Sequence, residues 1–116
     1  RDPRQEPPAP WDHAAAFESC ALQSDAALDA AKVQIFLNSL PTSLLRAKGV
    51  LWVAQDPQRR QVYQRVGPRW NLAPESAWGT ENPSSAIVLI APRGTLDPQA
   101  LRQRFEAAAL HASPPP

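Results

Sequence analysis

A chain of 116 residues with 14 prolines and one cysteine has room for a single small core and no internal disulfide framework. Its formal net charge of +1 argues against a polyanion binder as a whole, and no apolar run approaches the about 20 residues that span a bilayer. The lone Cys20 suits a reducing, cytoplasmic setting. Methionine is absent and the chain begins at Arg1, so the expectation is a segment of something longer.

In chain order, residues 1–16 hold Pro3, Pro7, Pro8 and Pro10 among small and charged residues and read as an extended linker. Phe17–Gln23 predicts a short edge strand of weak alternation. Asp29 then offers a helix cap, with Leu28 placed to staple onto Val33. Val33, Phe36, Leu37 and Leu40 form the apolar stripe of that helix, and Pro41 stops it. Gly49–Ala54 is apolar on both faces, as in a central strand covered on both sides or lying against another domain. A turn over Gln55–Gln58 leads to a second strand at Arg60–Val66, bent or ended by Gly67-Pro68. The stretch from Arg69 to Ser84 reads as an irregular loop or one broken strand. Ser85–Ala91 is the strongest strand signal in the chain. Leu96-Asp97-Pro98 repeats the helix opening, and Leu101, Phe105 and Ala108 give the second helix its stripe, fraying near Leu110. Pro114-Pro115-Pro116 close a tail at 111–116.

The order β-α-β-β-β-α, with one apolar stripe per helix, predicts an α+β two-layer sandwich. Both helices lie on one face of a mostly antiparallel four-stranded sheet. The folded part is 17–110. Pattern alone leaves the first strand beside either the second or the last.

Chemistry-bearing motifs are sparse. Four glycines make neither a G-x-x-x-x-G-K-[ST] nor a G-x-G-x-x-G loop, and no G-x-S-x-G occurs. Cys20, His13 and His111 have no zinc-site spacing and offer no Cys–His pair, so no catalytic or metal residues are assigned. Between Arg46 and Arg69, however, six basic residues (Arg46, Lys48, Arg59, Arg60, Arg65 and Arg69) face one acid, Asp56, for a local net charge of +5. Two readings stand: a docking surface for an acidic partner or phosphate, or a hairpin that simply wears solvated arginines. Trp52, Tyr63 and Trp70 interleave with these cations, either as core anchors or as stacking rings of a single-stranded nucleic-acid module. That second use lacks the K/R-G-F/Y pattern of an RNA-binding sheet, so nucleic acid is the less favoured partner.

Leu40-Pro41-Thr42-Ser43-Leu44-Leu45-Arg46-Ala47-Lys48-Gly49-Val50-Leu51-Trp52-Val53 resembles the signature of the CobW C-terminal domain, a helix ending in L-P followed by L-L-R-A-K-G and an apolar strand. Arg60–Gly67, Trp78-Gly79, Ser85–Ala91 and Leu96-Asp97 continue the likeness, which covers about Phe17 to Leu110. The resemblance implies a non-catalytic interaction and regulatory domain of a P-loop GTPase of the metallochaperone group, concerned with cobalt or zinc delivery or cobalamin biosynthesis. GTP with magnesium and a divalent metal would belong to the parent protein's GTPase domain and not to this segment. The implied partners are that N-terminal GTPase domain and a metal-receiving client, without a membrane. Arg46, Lys48 and Gly49, with Arg59, Arg60, Arg65 and Arg69, are the expected interaction surface, with Arg46–Gly49 read as a turn whose glycine supplies backbone freedom. The apolar sheet face away from the helices is expected to favour self-association of the segment.

Overall fold

A computed structural model describes residues 16–109. Five strands and two helices follow one another as β1 (Phe17–Ser24), α1 (Ala30–Asn38), β2 (Arg46–Leu51), β3 (Arg59–Val66), β4 (Arg69–Ala77), β5 (Ser85–Pro92) and α2 (Pro98–Glu106). The strands form one wholly antiparallel sheet in the order β1-β5-β2-β3-β4. The first strand therefore lies beside the last, and α1 carries the chain over β5 from β1 to β2.

Both helices start where the caps stand. Asp29 accepts from the Lys32 amide and Asp97 from the Ala100 amide, satisfying donors that the first turn leaves orphaned. The Asp29 carboxylate also accepts from Gln55 Nε2 at 2.9 Å, tying α1 to the loop after β2. Each helix is shorter than its apolar pattern. Helix α1 ends at Asn38, with Leu40 buried just beyond it, and α2 ends at Glu106, where Ala107 caps it and Ala109 bridges back to Leu28.

One core lies between the helices and the sheet. Val33, Phe36 and Leu37 of α1 and Leu101 and Phe105 of α2 join Leu22, Leu51, Tyr63, Ile87 and Leu89 from alternate strand positions. The rings of Phe36 and Phe105 meet at 5.4 Å and a 57° tilt, joining the two helices. Cys20 is buried in the same cluster, and that burial pushes its thiol above the usual range.

The sheet has five strands, not the expected four, because Arg69–Ala77 is paired along β3. The hairpin turns on Gly67-Pro68, with Gly67 at φ +57°. A positive-φ glycine followed by proline suits a two-residue turn of the II′ kind. Trp70 and Leu72 alternate inward onto the core, with Trp70 edge-on to Tyr63 at 6.0 Å. Pro74 is tolerated because β4 is an edge strand, and the register shifts between Arg59 and Gln61. On β3 the valines face away from the helices: Tyr63 and Arg65 are buried, whereas Val66 is exposed.

Candidate interaction surface

The sheet has two unlike faces. The helix-facing side of β5 carries Ser85, Ile87, Leu89 and Ala91, all buried. Its other side carries Ala86, Val88 and Ile90, all exposed. Antiparallel register extends that outer face across the neighbours, because directly paired residues share a side. Arg46 pairs with Ile90 and Val66, Lys48 with Val88 and Gln64, and Val50 with Ala86 and Val62. Arg69 pairs with Val66 at the outer margin. The outer face thus has an aliphatic row on each side of β2, with two cations and a valine along β2 itself.

Two grooves mark this face. One of about 590 Å³ is lined by Arg46, Lys48, Gln64, Val66, Val88 and Ile90 with Ala47 and Arg65 at its base. A neighbour of about 400 Å³ runs over Lys48, Val50, Val62, Gln64, Ala86 and Val88, with Gly49 and Tyr63 beneath. Val88 is 42% exposed and Ile90 38%, large values for the middle strands of a sheet.

The basic residues of the 46–69 stretch divide into two sets. Arg59, the first residue of β3, is paired at 2.8 Å with Asp56 of the loop before it. Arg60 is committed to the fold. It meets the Glu81 carboxylate at 2.6 Å, donates to Ser76 Oγ and the Ala77 carbonyl, and lies 4.9 Å over the Trp78 ring. Arg65 is buried on the helix side, where Nε donates to the Gly67 carbonyl at 2.7 Å and Nη1 to the Leu37 carbonyl at 3.4 Å. Arg46, Lys48 and Arg69 are exposed on the outer face and make no ion pair among the described residues. Three of the six predicted surface cations therefore serve the fold, and three converge on the open face.

Gly49 is part of this arrangement for a different reason from the one its sequence context suggests. Arg46–Gly49 is the first part of β2 and not a turn, and Gly49 has no positive φ. A Cβ at Gly49 would stand 2.1 Å from the Ala86 carbonyl oxygen and 2.7 Å from Ile87 Cα. The glycine lets β2 approach β5 closely enough to form the middle of the sheet.

Tyr63, Trp70 and Trp78 do not line the outer face. Tyr63 is wholly buried, Trp70 packs on the core, and Trp78 is covered by Arg60. Trp52 is half-buried, with its indole nitrogen enclosed. Among the strand residues described, Phe17, half-buried at the corner of β1, shares that side by register, and Trp52 follows Val50 just beyond the end of β2. His13 and His111 lie outside the described residues, as do the linker and tail read over most of 1–16 and over 111–116. Among the described residues, no three His, Cys, Asp or Glu side chains form a group able to hold a metal ion. The sequence has no phosphate-cradling loop, and the described residues do not fit a divalent metal. No described helix is long and apolar enough to cross a membrane.

The family model for the "Cobalamin synthesis protein cobW C-terminal domain" matches residues 17–109, a range that holds all seven described elements. The chain belongs to the cobW C-terminal domain family. Among solved structures it is similar to the Zn(II)-bound YjiA GTPase from E. coli, with a TM-score of 0.75 and 24% identity over 90% of this chain. A Zn(II)-bound triple mutant of YjiA GTPase aligns with a TM-score of 0.72, again at 24% identity over 90% of this chain. At that identity the likeness shows the shared fold. The cobW-type chain spans 34% of the length of each YjiA structure, so two thirds of those proteins lie outside the likeness. No curated protein matches the chain.

The sequence had shown that cations cluster, but not which of them are free. It also predicted an apolar sheet face away from the helices without naming its residues, which are Val50, Val62, Val66, Val88 and Ile90. The available signal was the unbroken apolar run of β5, which serves two faces when only one is covered by helices.

Proposed function

We propose that this domain is a non-catalytic interaction and regulatory module of a CobW-like GTPase engaged in delivering a metal, cobalt or zinc, or in cobalamin biosynthesis, in the cytoplasm. Its partners in this reading are the N-terminal GTPase domain of the parent protein and a metal-receiving client. GTP, magnesium and the cargo metal are handled by that GTPase domain. The observation that carries the reading is the coincidence of the family match with an outer sheet face whose cations, Arg46, Lys48 and Arg69, make no ion pair among the described residues. Such a face works by contact: its charges steer and orient a partner, while its aliphatic rows bury area against it.

The test is binding between this chain and a CobW-type GTPase domain, measured by calorimetry with GTP-analogue and with GDP. The expected result is binding that differs between the two nucleotide states and is weakened about tenfold or more by joint reversal of Arg46 and Lys48 to Glu, since like charges in an interface cost several kcal/mol. Binding indifferent to both nucleotide and reversal, or GTP hydrolysis by this chain alone, overturns the reading.

A further inference from the structure

The chemistry of the outer face is specific enough to name what covers it. We infer that it docks an acidic amphipathic helix of a partner protein, with the helix's apolar side over the β5–β2–β3 trough and its carboxylates against Arg46, Lys48 and Arg69. The inference rests on the reading of this chain as an interaction domain, and it adds the class of ligand.

Charge and side-chain chemistry both narrow the occupant. The trough is walled by Val88 and Ile90 on one side and Val62 and Val66 on the other. An occupant must therefore bring apolar side chains, or these walls gain nothing from being covered. The three cations stand on the same face and, among the described residues, make no ion pair with a carboxylate. An occupant without negative charge would strip water from them and leave them unpaired, which is costly. Arg46 and Arg69 both neighbour Val66 across the ladder, so they stand roughly 10 Å apart, two strand spacings. An α-helix is itself about 10 Å wide, so acids on its two flanks can meet both. The inner face already shows the preferred mode of covering this sheet, by helices laid on it.

Other occupants fit less well. Nucleic acid would bring phosphates to the cations, but over β5, β2 and β3 its bases would meet valine and isoleucine, since Tyr63, Trp70 and Trp78 are turned away or covered and the remaining described rings, Phe17 and Trp52, are half-buried at the margins of the face. A second copy would bring the same three cations against themselves. The face is also small, about 24 Å by about 20 Å from five strand widths and the six residues of β2 at its centre. That is roughly 480 Å², against the ~800 Å² per partner usual in a stable complex of two globular proteins. A single helix of about five turns is about 27 Å long and suits that footprint.

The experiment titrates isotope-labelled chain with three probes, following backbone amide shifts. The first probe is a synthetic acidic peptide of about 18 residues with leucines at i, i+3, i+4 and i+7 flanked by glutamates. The second is the same composition scrambled to destroy the stripe, and the third is an oligouridylate of similar charge. The expected result is saturable binding of the first peptide alone, with shifts confined to β2, β3 and β5 around Lys48, Gln64 and Val88. R46E/K48E and, separately, V88S/I90S should each weaken it about tenfold or more, while the amide spectrum of each free variant still shows the folded chain. Equal binding of the scrambled peptide, binding of the oligouridylate instead, shifts on the helix side, or no binding of the first peptide each overturns the inference. Failure here with nucleotide-dependent binding of a GTPase domain intact removes the acidic helix and leaves the proposed function standing.

Discussion

Gly49 shows how much of this sheet hangs on one missing atom. It sits between Ala47 and Leu51, both buried, and its α-carbon faces the β5 backbone at Ala86 and Ile87. Because no positive φ is involved, the constraint is space and not conformation. An alanine there would place its methyl 2.1 Å from a carbonyl oxygen, and neither backbone can yield without disturbing the β2–β5 ladder. Overpacking of this kind costs about 1–3 kcal/mol or more. Gly49→Ala is accordingly expected to lower the unfolding free energy measured in urea by about 2 kcal/mol or more, and the midpoint with it. A change within about 0.5 kcal/mol, the range of ordinary surface substitutions, shows that the strands can part freely. The substitution also separates two uses of the same segment, because Arg46→Ala and Lys48→Ala, on the open side, should leave that midpoint nearly unchanged.

Among the elements, α2 is held by more than its apolar stripe. The Glu18 carboxylate on β1 accepts from the Leu96 amide at 2.8 Å, pinning the β5–α2 loop where the second helix begins. That amide, with Gly94 and Thr95 behind it and Arg93 nearby, holds the Glu18 carboxyl below its ordinary value. The folded state thus binds the proton less readily than the unfolded chain. The resulting stability is fully present above the ordinary carboxylate range and is lost as pH falls through the lowered folded-state value. Thermal melts taken between about pH 6 and pH 3 should show Tm falling on the acid side, and Glu18→Gln should flatten that fall. Asp29 contributes in the same direction through the Lys32 amide and Gln55, so Asp29→Asn in addition should flatten it further. If Glu18→Gln leaves the acid limb unaltered, the loop contact contributes nothing to the docking of α2. The elements differ, too, in how plainly the sequence announces them. Asp29 and Asp97 are legible because a cap acts within its own first turn. Strand β4 is not, since a proline, a register shift and a one-sided apolar pattern make sense only beside β3. The site divides the same way: that cations gather between Arg46 and Arg69 is a local fact, but Arg60 is spent on Glu81 and Arg65 on Leu37, partners that only the fold brings near.

The molecule as a whole is a layered structure with one side finished and one side open. On the finished side two helices bury the aliphatic rows; on the open side similar rows stay wet, with Val66 62% exposed. Apolar area of that kind favours association of the domain with itself, while Arg46, Lys48 and Arg69 oppose it. Which effect wins depends on ionic strength. At about 10 mM salt the Debye length is about 30 Å, longer than the face is wide, and the like charges repel across it; at about 1 M it is about 3 Å and they do not. The hydrophobic contribution is not screened, yet the small footprint keeps it weak. Sedimentation equilibrium should therefore find a monomer at low salt and a weak dimer as sodium chloride is raised. V88S/I90S should abolish the dimer, and Arg46→Ala with Lys48→Ala should bring it in at lower salt. Dimerisation that strengthens on dilution of the salt would mean that opposite charges meet in it, which the three unpaired cations of the sheet face cannot supply. In that event the open side is not the self-association surface, and its charges are free for a partner of the other sign.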